Sequence, residues 1–146
     1  MITPKYLATG LRLGLIESSQ IQDWVNEQIQ ASDEPSQELI ELAYSKGRDL
    51  TSMYSILNGM TDETEEYDAV RRLLGEIEPK KLESINFCWR LTECLYSIWG
   101  EHNYSAPDDL GRIGKLEEEY RMATNGTFGT VEEWHNNFKI FIKSLE

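Results

Sequence analysis

Two cysteines, two histidines and four prolines are all that this 146-residue chain holds of the residues most often tied to metal ligation, thiol chemistry or chain breaking. On one helix the six-residue offset of Cys88 and Cys94 would separate them by about 9 Å along the axis and turn them to different faces. They cannot pair there, so a reducing cytoplasmic setting is expected, in which the sequons at Asn103 and Asn125 carry no meaning. Two histidines and two badly spaced thiols fall short of a structural zinc set, and neither a metal nor an organic cofactor is expected. Nowhere do eighteen apolar residues run together, which excludes a membrane-spanning helix. The opening Met1-Ile2-Thr3-Pro4 has no basic segment followed by an apolar run, so no signal peptide is expected. A Walker loop, a dinucleotide fingerprint and a Gly-x-Ser-x-Gly elbow are also missing.

Positive charge is scarce as well. Fourteen Lys and Arg face 26 Asp and Glu, for a formal net charge of -12 and a pI near 4.6. Such a surface repels phosphate backbones and anionic lipid, whose recognition draws on Lys and Arg. Direct nucleic-acid or membrane binding is not expected. A hydrophobic share of 40% is nevertheless too high for a disordered acidic tail. The composition is that of a charged globular domain, and the length fits one domain over residues 1–146.

Helical spacing of apolar residues recurs throughout. Thr3-Pro4 starts a first helix through Leu7 and Leu11, with Gly14 to stop it. Ser19 and Gln22 have capping-box spacing ahead of Ile21, Trp24, Val25 and Ile29. Asp33-Glu34-Pro35 opens a third helix with Leu39, Ile40, Ala43 and Tyr44 inward. Leu50, Met53, Tyr54 and Leu57 make a fourth, closed by Asn58-Gly59. Thr61 or Thr64 caps a fifth, whose stripe is Tyr67, Val70, Leu73, Leu74 and Ile77. The longest candidate runs from Pro79 to about Glu101 and is apolar over so wide an arc that it should be central. After a loop from Gly100 to Asp109, Pro107 can start a helix through Leu110, Ile113, Leu116 and Tyr120. Asn125 to Gly129 reads as a turn, and Thr130 with Glu133 caps a last helix carrying Val131, Trp134, Phe138, Phe141 and Leu145. The expectation is an all-α fold of seven to eight helices, as a bundle or a short stack of helix hairpins.

Candidate chemistry is thin. Glu132 and His135 have the Glu-x-x-His spacing of di-iron bundles, but a second copy of the pair is missing. The better reading is a first helical turn with Glu132 and Glu133 favouring the dipole and His135 solvated. Cys88, within Ile85-Asn86-Phe87-Cys88-Trp89, has bulky apolar neighbours and no cation, a setting that raises a thiol pKa. Gly111-Arg112-Ile113-Gly114 matches a Gly-x-x-Gly clamp without the strands and basic groove that clamp needs, so close helix packing explains it better. Enzymatic activity is not expected.

The acids are the remaining signal. Asp62, Glu63, Glu65, Glu66 and Asp68 crowd one helix start. Two would satisfy the dipole, at about 0.3–1 kcal/mol each, while five in seven residues repel one another. Asp68 also has Arg72 four residues on as a partner. Glu117-Glu118-Glu119 reads as a solvated face, with Glu117 offset by four from Arg121. The stretch Gly100 to Asp109 places Tyr104 beside Glu101, Asp108 and Asp109, just after Trp99, and an aromatic ringed by charge has the make-up of an interface hot spot. Tyr104 folded onto the core with Asp108 and Asp109 capping the next helix is the alternative. The candidate partner-binding residues are thus Asp62, Glu63, Glu65, Glu66, Asp68, Tyr104, Asp108 and Asp109.

Tyr6-Leu7-Ala8-Thr9-Gly10-Leu11-Arg12-Leu13-Gly14-Leu15-Ile16, then Ile21-Gln22-Asp23-Trp24, then Glu38-Leu39-Ile40-Glu41-Leu42-Ala43 resembles small helical immunity proteins of bacterial polymorphic toxin systems. The resemblance covers roughly the first sixty residues and carries no site residues. It implies a cytoplasmic antidote that binds the C-terminal domain of a toxin. The acidity agrees independently, because nuclease toxins need cationic surfaces to hold phosphates. The sequence therefore points to an acidic protein that neutralises a basic protein partner. A non-catalytic helical adaptor, or a subunit of a larger assembly, is the alternative.

Overall fold

A computed structural model describes residues 1–45, 49–60 and 63–146. Every regular element among them is helical. Eight α-helices, α1 (Pro4–Leu13), α2 (Ser18–Ala31), α3 (Gln37–Tyr44), α4 (Leu50–Gly59), α5 (Glu66–Gly75), α6 (Ile85–Glu101), α7 (Ile113–Thr124) and α8 (Val131–Lys143), are joined by 3-10 turns at Pro79–Glu83 and Asp108–Leu110. No helix among the described residues is long and apolar enough to cross a membrane. The helices fall into two compact units, Met1–Val70 and Arg71–Glu146, with the division inside α5.

In the first unit α1 packs on α4, α2 on α3, and α3 on α4. The expected caps set most of its ends. Thr3 Oγ1 accepts from the Tyr6 amide, and Gly14 (φ 73) takes the left-handed conformation that closes α1. Leu15 and Ile16 then both donate to the Gly10 carbonyl, folding Ile16 back so tightly that a Cβ on Gly10 would lie 2.4 Å from Ile16 Cδ1. Leu7, Ile21, Val25, Leu42, Met53 and Leu57 are among the buried residues of a mainly aliphatic core that also takes in Trp24. The Gln22 side chain donates to the Leu42 carbonyl at 2.9 Å, tying α2 to α3.

Three expectations for this unit need correction. The capping box of α2 is Glu17 with Gln20, not Ser19 with Gln22, because Glu17 holds the extended backbone of a cap. Ser36, one residue after Pro35, caps α3. The inward face of α3 is also rotated: Leu42 is fully buried, whereas Ile40 is exposed and Tyr44 is 78% exposed. The fifth helix takes its first bonds from the Asp68 and Ala69 amides to the Glu65 carbonyl, one residue past Thr64. Thr61 lies outside the described residues.

In the second unit α6 packs on α7 and α8, and α7 on α8. The long helix expected from Pro79 is broken. Ser84 (φ -85, ψ 116) leaves helical geometry and caps α6 by accepting from the Phe87 amide, so Pro79–Glu83 forms a separate 3-10 turn. That turn is anchored at one atom. The Leu82 carbonyl accepts from the Cys88 thiol at 3.3 Å, and His135 Nε2 lies 2.7 Å from it. Rings fill the space between α6, α7 and α8. Trp89 stacks on Tyr120 at 3.8 Å, Trp134 meets Tyr120 edge-on at 4.8 Å, and Phe138 and Phe141 continue the series. Trp134 also donates to the Leu116 carbonyl at 2.8 Å, satisfying the one polar atom of its buried ring.

Candidate functional site

The first group of acids begins before α5 and enters its first turn. Glu63, Glu65 and Asp68 are exposed and Glu66 is half-buried; Asp62 lies outside the described residues. Glu66 and Asp68 occupy the first helical turn, where the unpaired amides favour negative charge. Burial raises the Tyr67 phenol pKa, and the adjacent Glu66 charge raises it further. This group belongs to a strongly acidic unit. Met1–Val70 holds thirteen Asp and Glu against four Lys and Arg, while Arg71–Glu146 holds thirteen against ten.

Tyr104 belongs to the second unit, and its setting is built by the end of α6. The Tyr104 amide donates to the Trp99 carbonyl at 2.9 Å, and the Asn103 amide donates to that of Gly100 at 3.1 Å. This is a Schellman closure, in which the residue after the left-handed position meets the side chain five before it. Here those side chains are aromatic, with ring centroids 5.0 Å apart and an interplanar angle of 75°. Asn103 holds the left-handed position (φ 58) that glycine usually fills, and Tyr104 itself has φ 58. A bulky residue in that region costs on the order of 1–3 kcal/mol, so surrounding contacts must hold it there. Trp99 supplies that support. Its indole lies on Gly114 of α7 so closely that a Cβ there would sit 2.5 Å from the ring. The close-packing reading of Gly114 therefore holds. Tyr104 leans on a fixed indole and remains 63% exposed. It combines both sequence alternatives: held against the helix end, yet facing solvent.

The two aspartates that follow differ. Asp109 receives two bonds from Arg71, Nε to Oδ2 at 2.5 Å and Nη2 to Oδ1 at 3.0 Å. The Arg71 hydrogen bonds hold its carboxyl below the usual range. Asp108 is exposed beside it. Asp109 thus presents an ion pair to solvent rather than a lone carboxylate.

Two other readings are corrected. Glu117 is buried, not part of a solvated face, and accepts from Arg121 one turn on; that contact raises the guanidinium pKa. His135 is likewise buried, with Nε2 toward the Leu82 carbonyl. Since a carbonyl only accepts, that nitrogen carries a proton. Burial pushes the neighbouring Cys88 thiol up to about 11. A thiol so reluctant to ionise, donating to the same carbonyl as the imidazole, has the makings of a structural clasp rather than a nucleophile and base. Among the described residues no three His, Cys, Asp or Glu side chains form a metal-binding group.

One surface was missed. Between α7 and α8 lies a groove of about 390 Å³, with Met122 and Trp134 in its lining and Phe128 at its edge. Phe128 is 74% exposed on the turn between Gly126 and Gly129, both with φ 72. A phenylalanine between two turn glycines is legible in sequence, but the helix faces that meet it are not. No protein-family model, curated protein or solved structure matches the chain.

Proposed function

We propose that this chain is an immunity protein, which binds and blocks a basic domain of a cognate bacterial toxin. The observation that carries the reading is Tyr104: an aromatic ring 63% exposed, on left-handed backbone, propped by Trp99 and followed by Asp108 and the Asp109–Arg71 pair. A ring held in place before binding loses little freedom on binding, which is the economy of a contact hot spot. The acidic excess of Met1–Val70 supports the second half of the reading, since a net negative charge draws a cationic partner from a distance. Glu63, Glu65, Glu66 and Asp68 are the steering residues in this account, with Asp62 beside them in sequence. Tyr104, Asp108 and Asp109 make the contact.

The test is kinetic, with the partner that co-purifies from the native host. Changing Glu63, Glu65 and Asp68 together to lysine should slow association about tenfold at low salt, with the difference shrinking as ionic strength rises. Tyr104→Ala should leave association unchanged and speed dissociation by about thirtyfold, as for loss of a 2 kcal/mol anchor. Rates insensitive to salt and to both changes would sink the proposal.

A further inference from the structure

The groove between α7 and α8 is separate from the Tyr104 turn, and its lining has a definite chemistry. Met122 and Ala123, both half-buried, provide apolar surface over the buried Trp134, and Phe128 stands at the edge with most of its ring in solvent. Glu118, Glu119 and Glu133 border it, against Lys115 as its one cationic lining residue. Among the described residues no side chain pairs with those three carboxylates. Four other acids of this unit, Glu76, Glu83, Asp109 and Glu117, each lie beside an arginine or lysine.

We infer that this groove receives the side chain of an arginine from a basic polypeptide segment. An arginine has an aliphatic stem that suits the Met122 and Ala123 surface, and a planar cation that stacks on an aromatic face such as Phe128. Its fork of donors matches carboxylates contributed by two helices, Glu118 and Glu119 from α7 and Glu133 from α8. Charge complementarity selects this occupant. A neutral apolar segment would leave three carboxylates partly desolvated without a partner, and an anionic one would be repelled. The turn geometry contributes as well. Gly126 and Gly129 both adopt left-handed backbone, and the Thr127 and Phe128 amides both donate to the Met122 carbonyl, which fixes where Phe128 emerges. The inference goes beyond the proposed function: it concerns another surface and stands whether or not the partner is a toxin.

The probe is the tripeptide acetyl-Gly-Arg-Gly-amide, titrated into the isotope-labelled full chain and followed by amide chemical shifts. Its citrulline counterpart, equal in shape and uncharged, is the control. The arginine peptide should shift the amides of Met122, Ala123, Phe128 and Gly129 saturably, and the citrulline peptide should not. Phe128→Ala should weaken binding about three- to fivefold. Glu118→Gln, Glu119→Gln and Glu133→Gln together should weaken it about tenfold. Glu27→Gln, an exposed position of α2 in the other unit, should change nothing. Circular dichroism of each variant verifies that helix content is kept, and Phe128, being exposed, can be removed without disturbing a core. Shifts spread evenly over the acidic surface, equal response to citrulline, or indifference to Phe128→Ala would each overturn the assignment. The outcome is independent of the Tyr104 kinetics, so either reading can fail alone.

Discussion

In Met1–Val70 the core is mainly aliphatic, built on Leu7, Ile21, Val25, Leu42, Met53 and Leu57 with Trp24 beside them; in Arg71–Glu146 a succession of rings joins the buried aliphatic residues. All four phenylalanines and three of the four tryptophans belong to the second unit, so the difference is written in composition. Charge divides the other way. The second unit balances its carboxylates with ten Lys and Arg, several of them in ion pairs, whereas the first has four. Aliphatic cores tolerate exchange of similar volumes, while ring packing fixes orientation and demands partners for indole N–H groups. The second unit is therefore the more suited to presenting rigid contact surfaces, and both the Tyr104 turn and the Phe128 groove lie in it. The first is more suited to long-range attraction. A basic partner would meet two kinds of chemistry in one chain.

The comparison is broken most directly at Trp134. Trp134→Ala removes a ring that touches Trp89, Tyr120 and Phe138 and leaves the Leu116 carbonyl without its donor. The expected loss is about 3–5 kcal/mol by denaturant unfolding. Leu42→Ala, which empties an equally buried aliphatic site in the first unit, should cost less, about 2–3 kcal/mol, because neighbours can relax around it. Equal costs would mean that the ring series adds nothing beyond its area.

A paired glycine test sharpens the same contrast. Gly114→Ala drives a methyl into the Trp99 indole, a flat wall that cannot bend away, whereas Gly10→Ala meets the end of Ile16, which can rotate. We expect losses of about 2–3 kcal/mol for Gly114→Ala and about 1–2 kcal/mol for Gly10→Ala, the range of overpacked cores. Because Trp99 supports Tyr104, Gly114→Ala should also move the Tyr104 ring resonances, and Gly10→Ala should not. If the order is reversed, Trp99 is less fixed than its contacts indicate.

The sequence announced the helices because their caps are local. Thr3 before Pro4, Thr130 before Glu133 and the glycines at 14 and 126 need no tertiary partner to act. It misplaced what depends on the rest of the fold. The break at Ser84 is stabilised by Cys88 and His135, the latter 53 residues from Leu82 along the chain, and no periodicity carries that information. The inward turn of α3 toward Leu42 rather than Ile40 follows from packing on α2 and α4, since the apolar residues of that helix cover more than one face. At the candidate site, Tyr104 was legible as an aromatic among acids. The Asp109–Arg71 pair was not, because it joins residues 38 apart, and the Phe128 groove needed two helices brought together.

Cys88 offers a smaller effect, confined to alkali. Its thiol is pushed up to about 11 in the folded chain, chiefly by burial, whereas an unfolded cysteine ionises near about 8.5. The unfolded state therefore loses this proton first. The stabilising contribution is full below about pH 8.5 and disappears as pH rises through about 11. The stability difference between the wild type and Cys88→Ala should shrink over that window, measured by denaturant unfolding at pH 8 and pH 11. The native thiol should also react with iodoacetamide more slowly than half-buried Cys94. A constant difference across the window would mean that Cys88 ionises in the folded protein as freely as in the unfolded one.

The smallest effect tests the Asp109–Arg71 pair, which follows Tyr104 in sequence. Arg71 holds the Asp109 carboxyl below its usual range, so the folded state keeps this group ionised where the unfolded state has begun to protonate. The associated stability is present above about pH 4 and is lost as pH falls through the depressed value. Both side chains are more than a third exposed, at 34% and 44%, and solvent screening keeps the contribution to about 0.2–1 kcal/mol despite the bidentate geometry. Asp109→Asn should therefore be slightly less stable than the wild type at pH 7, with the gap shrinking as pH falls below about 4 and, at pH 7, narrowing in high salt. The variant also probes the proposed contact surface, because it removes the Asp109 charge from it. Association with a basic partner should slow while dissociation governed by Tyr104 stays nearly constant. Were Asp109→Asn to speed dissociation as much as Tyr104→Ala, the pair rather than the ring would be the anchor, and the division between steering acids and contact ring would have to be redrawn around Arg71.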